Sequence, residues 1–348
     1  MFPKRRQPRL PRVRRLRIDS FLLALVLVLA WMAAQMFGGA GGDAVVENPA
    51  QPGDASAPMA QEALAPALSC EGMPETGEPV RFLMQNVQNY FVAGEQRSRY
   101  VTQPKSETAK DALVQEMARL QPDVVGLVEI GGPLAMQDLR KRLERAGLSF
   151  PYFRVLVRQG EDRALGLLSR LPIVADESRA EMPLYGQHRR TMLRGILDVT
   201  VQAEDGRLFR LMGVHLKSRV GEDPAAAAAL RNKEAYTLAM YVQAAQKRCP
   251  KMPMLVYGDC NDTPADSAVQ ILLRGRSEAS SLCRLTPKDA RGEEWTHFYR
   301  QGKSYYTFDH LMANKVLRQR LGANPACGIV SPEKAKGSDH RALWVELR

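Results

Sequence analysis

Excess positive charge is missing from most of this chain. Its net charge is +11, yet residues 1–20 carry Lys4, Arg5, Arg6, Arg9, Arg12, Arg14, Arg15 and Arg17 against one acid, Asp19. That block holds +7 and leaves +4 for the other 328 residues. A strong, sequence-independent grip on duplex nucleic acid is therefore not implied by charge. Internal repeats are absent, which excludes solenoid and propeller architectures. No pair of His or Cys has zinc-ligand spacing, so zinc is not indicated. Residues 38–68 have few large apolar side chains; their Gly, Ala, Pro and Gln cannot bury enough surface to fold, and they read as a flexible linker.

The amino end is organised around one apolar run. Phe21 to Phe37 contains a single polar residue, Gln35, and 17 residues at about 1.5 Å each span about 25 Å, the short limit for crossing a hydrocarbon core of about 30 Å. The basic block 1–20 keeps its own side cytoplasmic. Two readings compete: an uncleaved anchor over 21–37, and a signal segment within 21–42 cut near Gly38 to Gly42. The run is longer than a usual signal core, which favours the anchor. Either way residues 69–348 are expected outside the cytoplasm, periplasmic or extracellular, and secreted if the segment is cleaved. Export permits disulfides among Cys70, Cys249, Cys260, Cys283 and Cys327. With Cys260 read as a small buried filler, Cys70 is expected to pair with Cys249 and Cys283 with Cys327.

The 45% apolar content is ample for a core. The stretch around which residues 69–348 are organised is Met252 to Val256 followed by Tyr257-Gly258-Asp259-Cys260-Asn261-Asp262-Thr263-Pro264, a buried strand emptying into a turn. Val80 to Met84 is a strand ending in Gln85-Asn86-Val87-Gln88-Asn89. A helix over 106–120, with Ser106 as cap, leads to the buried strand Val124 to Val128, which delivers Glu129 at its end. A helix over 133–146 follows, then strands at about 152–157, 164–169, 193–201 and 207–214, the last ending in His215-Leu216-Lys217-Ser218. The longest helix spans about 224–247 with Asp223 and Pro224 at its start. The tail adds a strand with Phe308-Asp309-His310-Leu311 and a last strand, Ala342 to Leu347, preceded by Gly337-Ser338-Asp339-His340.

Asn86, Glu129, His215, Asp259, Asn261, Asp309, Asp339 and His340 all fall at strand ends. If those ends cluster, they form a cleft suited to a hard divalent cation and a phosphate ester: carboxylate and amide oxygens hold Mg²⁺ or Mn²⁺, and histidine manages protons. Asp262 and Asp266 read as turn residues, His310 as structural and His297 as an ordinary surface or interface residue. Lys217 and Arg163 either steer an anionic substrate or are solvated charges. Trp295-Thr296-His297-Phe298-Tyr299-Arg300 with Tyr305 and Tyr306 either stacks on a base or sugar or forms two edge strands with cross-strand aromatic pairs.

These residues resemble the endonuclease/exonuclease/phosphatase superfamily, the deoxyribonuclease I-like proteins. The match rests on Asn86-Val87-Gln88-Asn89, Glu129, Leu168-Ser169-Arg170-Leu171-Pro172-Ile173, His215-Leu216-Lys217-Ser218, Gly258-Asp259-Cys260-Asn261-Asp262, Asp309-His310 and Ser338-Asp339-His340, in family order over about 80–348. The resemblance implies a four-layer α/β/β/α sandwich of two packed mixed β-sheets flanked by helices. It implies Glu129 as the main metal ligand with Asn86 and Asp339 near it. Asp259 then aligns or deprotonates the attacking water, and Asn261 bonds that water or the phosphate. Asp309 orients His340, which bonds the phosphoryl oxygen or moves a proton, and His215 stabilises the transition state or protonates the leaving oxygen. One departure stands out: many relatives carry an acid where this chain has Gln88, which keeps an oxygen ligand, loses a charge and implies weaker metal affinity. The expected protein is a Mg²⁺- or Mn²⁺-dependent phosphodiesterase, a nuclease before a phospholipid head-group phosphodiesterase or phosphatase, membrane-bound through 21–37 and without a protein partner. A catalytically silent binding module is the reading from another class. Function belongs to the site and its loops, so the fold leaves the substrate open.

Overall fold

The computed structural model describes residues 72–95, 103–275, 277, 280–333 and 336–348. The basic block, the apolar run 21–37, the linker 38–68 and Cys70 lie outside the described residues. Among the described residues no helix is long and apolar enough to cross a membrane.

Apolar runs in this chain are buried on both faces, and that dictates its layers. Successive side chains of a strand point to opposite faces. Phe82 and Met84 join one apolar cluster and Leu83 another. Leu211 and Leu255 join the first of these, whereas Met212 and Val256 join a third. Strands of this kind need a covering layer on each side.

In chain order the described elements are β1 (Val80–Tyr90), α1 (Glu107–Leu120), β2 (Val124–Ile130), α2 (Pro133–Arg145), β3 (Tyr152–Leu156), β4 (Ala164–Ser169), β5 (Ile173–Asp176), β6 (Pro183–Leu184), β7 (Gln187–Thr191), β8 (Leu197–Gln202), β9 (Leu208–His215), α3 (Pro224–Arg248), β10 (Met254–Asp259), α4 (Ser267–Arg274), β11 (Cys283–Arg284), β12 (His297–Tyr299), β13 (Ser304–Tyr306), β14 (Asp309–Ala313), α5 (Lys315–Leu321), β15 (Cys327–Ile329) and β16 (Leu343–Leu347). Two six-stranded mixed sheets result, ordered β15-β16-β1-β2-β4-β3 and β11-β14-β10-β9-β8-β5. Both follow one plan. β1 and β2 are parallel across the α1 crossover, β9 and β10 across α3, and the flanking pairs are antiparallel. Phe82, Met84, Val128, Leu211, Leu255 and Tyr257 fill the space between the sheets. Leu113, Met117, Met136 and Leu139 hold α1 and α2 on the first sheet. Leu238, Val242, Ala268 and Leu272 hold α3 and α4 on the second. This is the expected four-layer sandwich.

Helix starts follow the sequence. Ser106 accepts from the Ala109 N–H at 3.3 Å, and Asp223 accepts from Ala225 and Ala226 at 2.9 and 3.0 Å, each cap contributing about 1 kcal/mol. Strand ends follow it less closely. β1 and β2 run past Met84 and Val128 to Tyr90 and Ile130, and β10 starts at Met254 and runs through Asp259. β8 begins at Leu197 rather than 193, because Gly195 adopts φ +69° with the Arg179 carbonyl 2.1 Å from where a Cβ would stand. The elements α4, α5, β5, β6, β7, β11 and β15 were not expected. Cys249 is disulfide-bonded, but Cys283 and Cys327 are both free, so the expected bridge between those two is absent; Cys260 is free and buried as expected.

Candidate active site

Backbone irregularities aim the site's side chains. The β1–β2 ladder pairs Asn86 with Val128 and resumes only at Tyr90 with Ile130, so Val87 to Asn89 bulge out. In the β2–β4 ladder Glu129 is skipped between Val128 and Ile130. Glu129 is therefore presented by a bulge within a strand, not past its end. Among the described residues six non-glycine residues have positive φ, and four of them belong here: Gln88, Asn89, Glu129 and Asn261. Such strain costs on the order of 1 kcal/mol per residue and concentrates at functional sites. It is held by local bonds: Asn86 Oδ1 accepts from Gln88 N–H at 2.9 Å, Glu129 Oε2 from Asn89 N–H at 3.0 Å, and Asp259 Oδ1 from Asn261 N–H at 2.8 Å. On β10, Gly258 has φ +145°, and the Val214 carbonyl oxygen lies 1.9 Å from where its Cβ would stand. Only glycine lets β9 approach so closely, and the next residue is Asp259.

Three buried groups converge on one oxygen, Asp259 Oδ2. The Asn86 amide donates to it at 3.1 Å, His215 Nε2 lies 3.8 Å away and His340 Nε2 3.9 Å away. His215 Nε2 is also 3.8 Å from Glu129 Oε1. His340 Nδ1 donates to Asp309 Oδ2 at 2.7 Å, fixing the ring with its Nε2 toward Asp259. The 338–340 turn docks on the β1 bulge: Ser338 Oγ donates to the Asn86 carbonyl at 2.8 Å, and the Asp339 N–H donates to Gln88 Oε1 at 3.1 Å. Asn261 donates to the Leu216 carbonyl at 3.0 Å, tying the ends of β9 and β10 together.

Burial and neighbours set the charges. Burial, with Asp309 adding to it, pushes Asp259 up to about 7. Burial alone would discharge His340, but the adjacent Asp309 and then Asp259 raise it to about 10, so it is an imidazolium at neutral pH. Burial, then Arg194 and Arg163, drive His215 well below its ordinary value; it is neutral, and its approaches to Glu129 and Asp259 are not ion pairs.

The other expected residues fall as follows. Arg163 Nε donates to Asn89 Oδ1 at 2.7 Å and sits 3.5 Å from Glu129 Oε2, beside the site. The Lys217 ammonium is turned into its own loop, on the carbonyls of Val220 at 2.7 Å and Ser218 at 3.2 Å. Gln88 does not offer a free side-chain oxygen, because that oxygen accepts from Asp339. Asp262 is more than a turn residue: it is buried and accepts from Arg231 Nε at 2.7 Å. His310 is structural, its Nε2 donating to the Asp262 carbonyl at 2.9 Å.

Two neighbours of the site were not anticipated. Lys105 donates to the Gln88 carbonyl at 3.0 Å; burial lowers its ammonium to about 8, opposed by Asp339 and Glu129. His297 is not an ordinary surface residue. It bridges to His340 in the backbone, its ring lies 4.5 Å from the His340 ring, and its Nε2 is 3.8 Å from Asp339. Its place in the motif-like run Trp295 to Arg300 was the only local signal.

Comparison with known proteins identifies the family and the fold. The Endonuclease/Exonuclease/phosphatase family profile matches residues 86–340, and the chain belongs to that family. No curated protein matches it in sequence. Among solved structures, the human nocturnin catalytic domain with bound sulfate is 16% identical, covers 78% of this chain and 94% of its own, and superposes with a TM-score of 0.53. Beta toxin of Staphylococcus aureus is 13% identical, with 77% and 100% covered and a TM-score of 0.55. Sphingomyelinase C of Streptomyces griseocarneus is 17% identical, with 78% and 100% covered and a TM-score of 0.53. At these identities the likeness is one of fold. The chain thus carries the phosphoesterase fold of a family whose members hydrolyse phosphodiester bonds and commonly use divalent metals.

Proposed function

We propose that the chain is an exported, membrane-tethered phosphodiesterase that requires Mg²⁺ or Mn²⁺ and cleaves nucleic acid. The observation that carries the hydrolytic reading is the convergence of Asn86, His215 and His340 on Asp259 Oδ2, with Asp309 locked to His340. A carboxyl raised to about 7 is matched to general-base work near neutrality.

The donors fit a hard dication. Glu129 and Asp339 would supply carboxylate oxygens and Asn86 the remaining lone pair of an amide oxygen that already accepts from the Gln88 N–H, and Asp339 Oδ1 is buried with no hydrogen-bond partner, as suits an atom reserved for a ligand. When bound, such an ion neutralises phosphate charge. The chain's own groups do the rest. Asp259 takes a proton from the attacking water, held in line by Asn261. The oxygen–phosphorus bond forms as the bond to the leaving oxygen breaks. Charge states divide the histidines: the imidazolium of His340 gives its proton to the leaving oxygen, and neutral His215 donates one N–H to a phosphoryl oxygen. Asp309 keeps His340 charged and aimed.

Export and tethering rest on residues 1–37, whose basic block and apolar run support an anchor with the catalytic domain outside the cytoplasm. That tether also favours a second reading, a phospholipid head group as substrate. The test is metal-dependent cleavage by the full chain in detergent, offered single-stranded and duplex DNA, RNA, sphingomyelin and a generic phosphomonoester. Cleavage of DNA or RNA that needs Mg²⁺ or Mn²⁺ and weakens with salt supports the nuclease. Preferential hydrolysis of sphingomyelin replaces it with the lipid reading, and removal of the metal with no effect contradicts both.

A further inference from the structure

Beside Asp339 and His340 opens a cleft of about 520 Å³ walled by Trp295, Phe298, Tyr305 and Arg300. Its wall is the β12–β13 hairpin, which pairs Phe298 directly with Tyr305. Their rings stack at 4.8 Å and 27°, and Tyr305 remains 58% exposed despite its contacts with Phe298 and Trp295, so aromatic surface is left accessible at the cleft. Trp295 lies 4.7 Å from Tyr305, tilted, and one of its own faces is covered by the Arg341 guanidinium at 4.2 Å. Arg341 and Arg291 are engaged with Asp289 and Glu333. Arg300 is exposed in the turn just past β12 and, among the described residues, has no ion pair. Asp339 and His340 belong both to this cleft and to the catalytic cluster.

We propose that this cleft is a nucleoside subsite: a base lies flat on the Tyr305–Phe298 platform, and Arg300 takes the phosphate on its far side. The inference rests on the phosphodiesterase reading and deepens it by naming what flanks the scissile phosphate. A single flat, stacked face suits a planar ring. A quaternary ammonium head group needs several ring faces converging on it, and here two faces are spent on each other and a third on Arg341. An exposed arginine without a carboxylate partner is a natural phosphate contact. The hairpin thus fills both roles open to its sequence, cross-strand aromatic pairing and a stacking surface.

The test compares the 5′- and 3′-nitrophenyl esters of thymidylate with methyl nitrophenyl phosphate, which has no base, using the full chain in detergent with Mn²⁺. Tyr305→Ala is expected to lower kcat/KM for a thymidylate ester, relative to the methyl ester, by about five- to 100-fold, mainly through KM, the range spanned by loss of one base–aromatic stack. Tyr305→Phe keeps the preference within about twofold, since the ring remains. Tyr299→Ala, on the opposite face of β12, leaves the preference where it was. Equal loss on both esters, or none, overturns the subsite. A wild-type chain that cleaves neither ester refutes the phosphodiesterase reading alone; calorimetry on the Asp259→Asn chain then decides the subsite. Thymidine 5′-monophosphate binding that Tyr305→Ala weakens supports it, and tighter binding of phosphocholine, or no nucleotide binding, overturns it.

Discussion

Asp309→Asn removes one charge from the site and keeps its shape. The Asp309–His340 bond is 2.7 Å long and fully buried, and Asp309 is the largest of the neighbours that hold His340 at about 10 against burial. One pKa unit corresponds to 1.36 kcal/mol, so the rise from 6.5 to about 10 represents at most about 5 kcal/mol of preference for the charged ring. The folded value lies above the unfolded one. The stabilisation is therefore complete below pH 6.5 and fades as pH rises through about 10. With the larger share assigned to Asp309, the variant should unfold about 2–4 kcal/mol more readily at pH 6, and the two proteins should converge near pH 10. Urea unfolding followed by tryptophan fluorescence, repeated across that range, reads the gap. Catalysis should fall about 10²–10⁴-fold in kcat at pH 7, because an uncharged His340 no longer gives up a proton readily. A stability gap independent of pH, or kcat within threefold of wild type, would refute the reasoning.

The remaining predictions concern the scaffold and the metal. Gly258→Ala should cost several kcal/mol, since its Cβ would stand 1.9 Å from the Val214 carbonyl; a melting temperature within a degree of wild type contradicts the close β9–β10 approach. His310, lowered by burial to about 4, contributes stability that is whole above pH 6.5 and lost as pH falls through about 4, about 3 kcal/mol in all. His310→Gln should therefore flatten the acid limb of the stability profile, measured by thermal unfolding between pH 7 and 4. Glu129→Gln should raise the Mg²⁺ concentration for half-maximal activity at least about tenfold while the unfolding midpoint without metal stays close to wild type; an unchanged metal requirement excludes Glu129 as a ligand.

The fold was legible where the chain writes its layers plainly. Apolar runs ending in polar residues marked β1, β2, β9 and β10, and capping residues marked α1 and α3. Asp259 could be read because a continuous apolar strand ends in Gly-Asp. What the sequence hid was set by contacts distant in the chain. Glu129 was named from the sequence, but the bulges that present Glu129 and Gln88 are decided by the register of the neighbouring strands. His297 reaches the site because residues 339–341 pair beside β12, and no local pattern announces that pairing. Lys105 was unreadable for the same reason: its partner carbonyl exists only once the β1 bulge forms. Lys217 follows the motif yet spends its ammonium on its own loop, and Asp262 is the buried partner of Arg231 on α3. Cysteine positions in a sequence carry no geometric information about pairing, and Cys283 and Cys327 stay free.

The most direct test of the account is hydrolysis of methyl nitrophenyl phosphate by the full chain with and without Mg²⁺ or Mn²⁺, alongside Asp259→Asn. The account predicts turnover that requires the metal and falls at least about 10³-fold when the carboxylate on which Asn86, His215 and His340 converge becomes an amide. A folded wild-type chain with no metal-dependent turnover, or an Asp259→Asn chain as active as wild type, would contradict it.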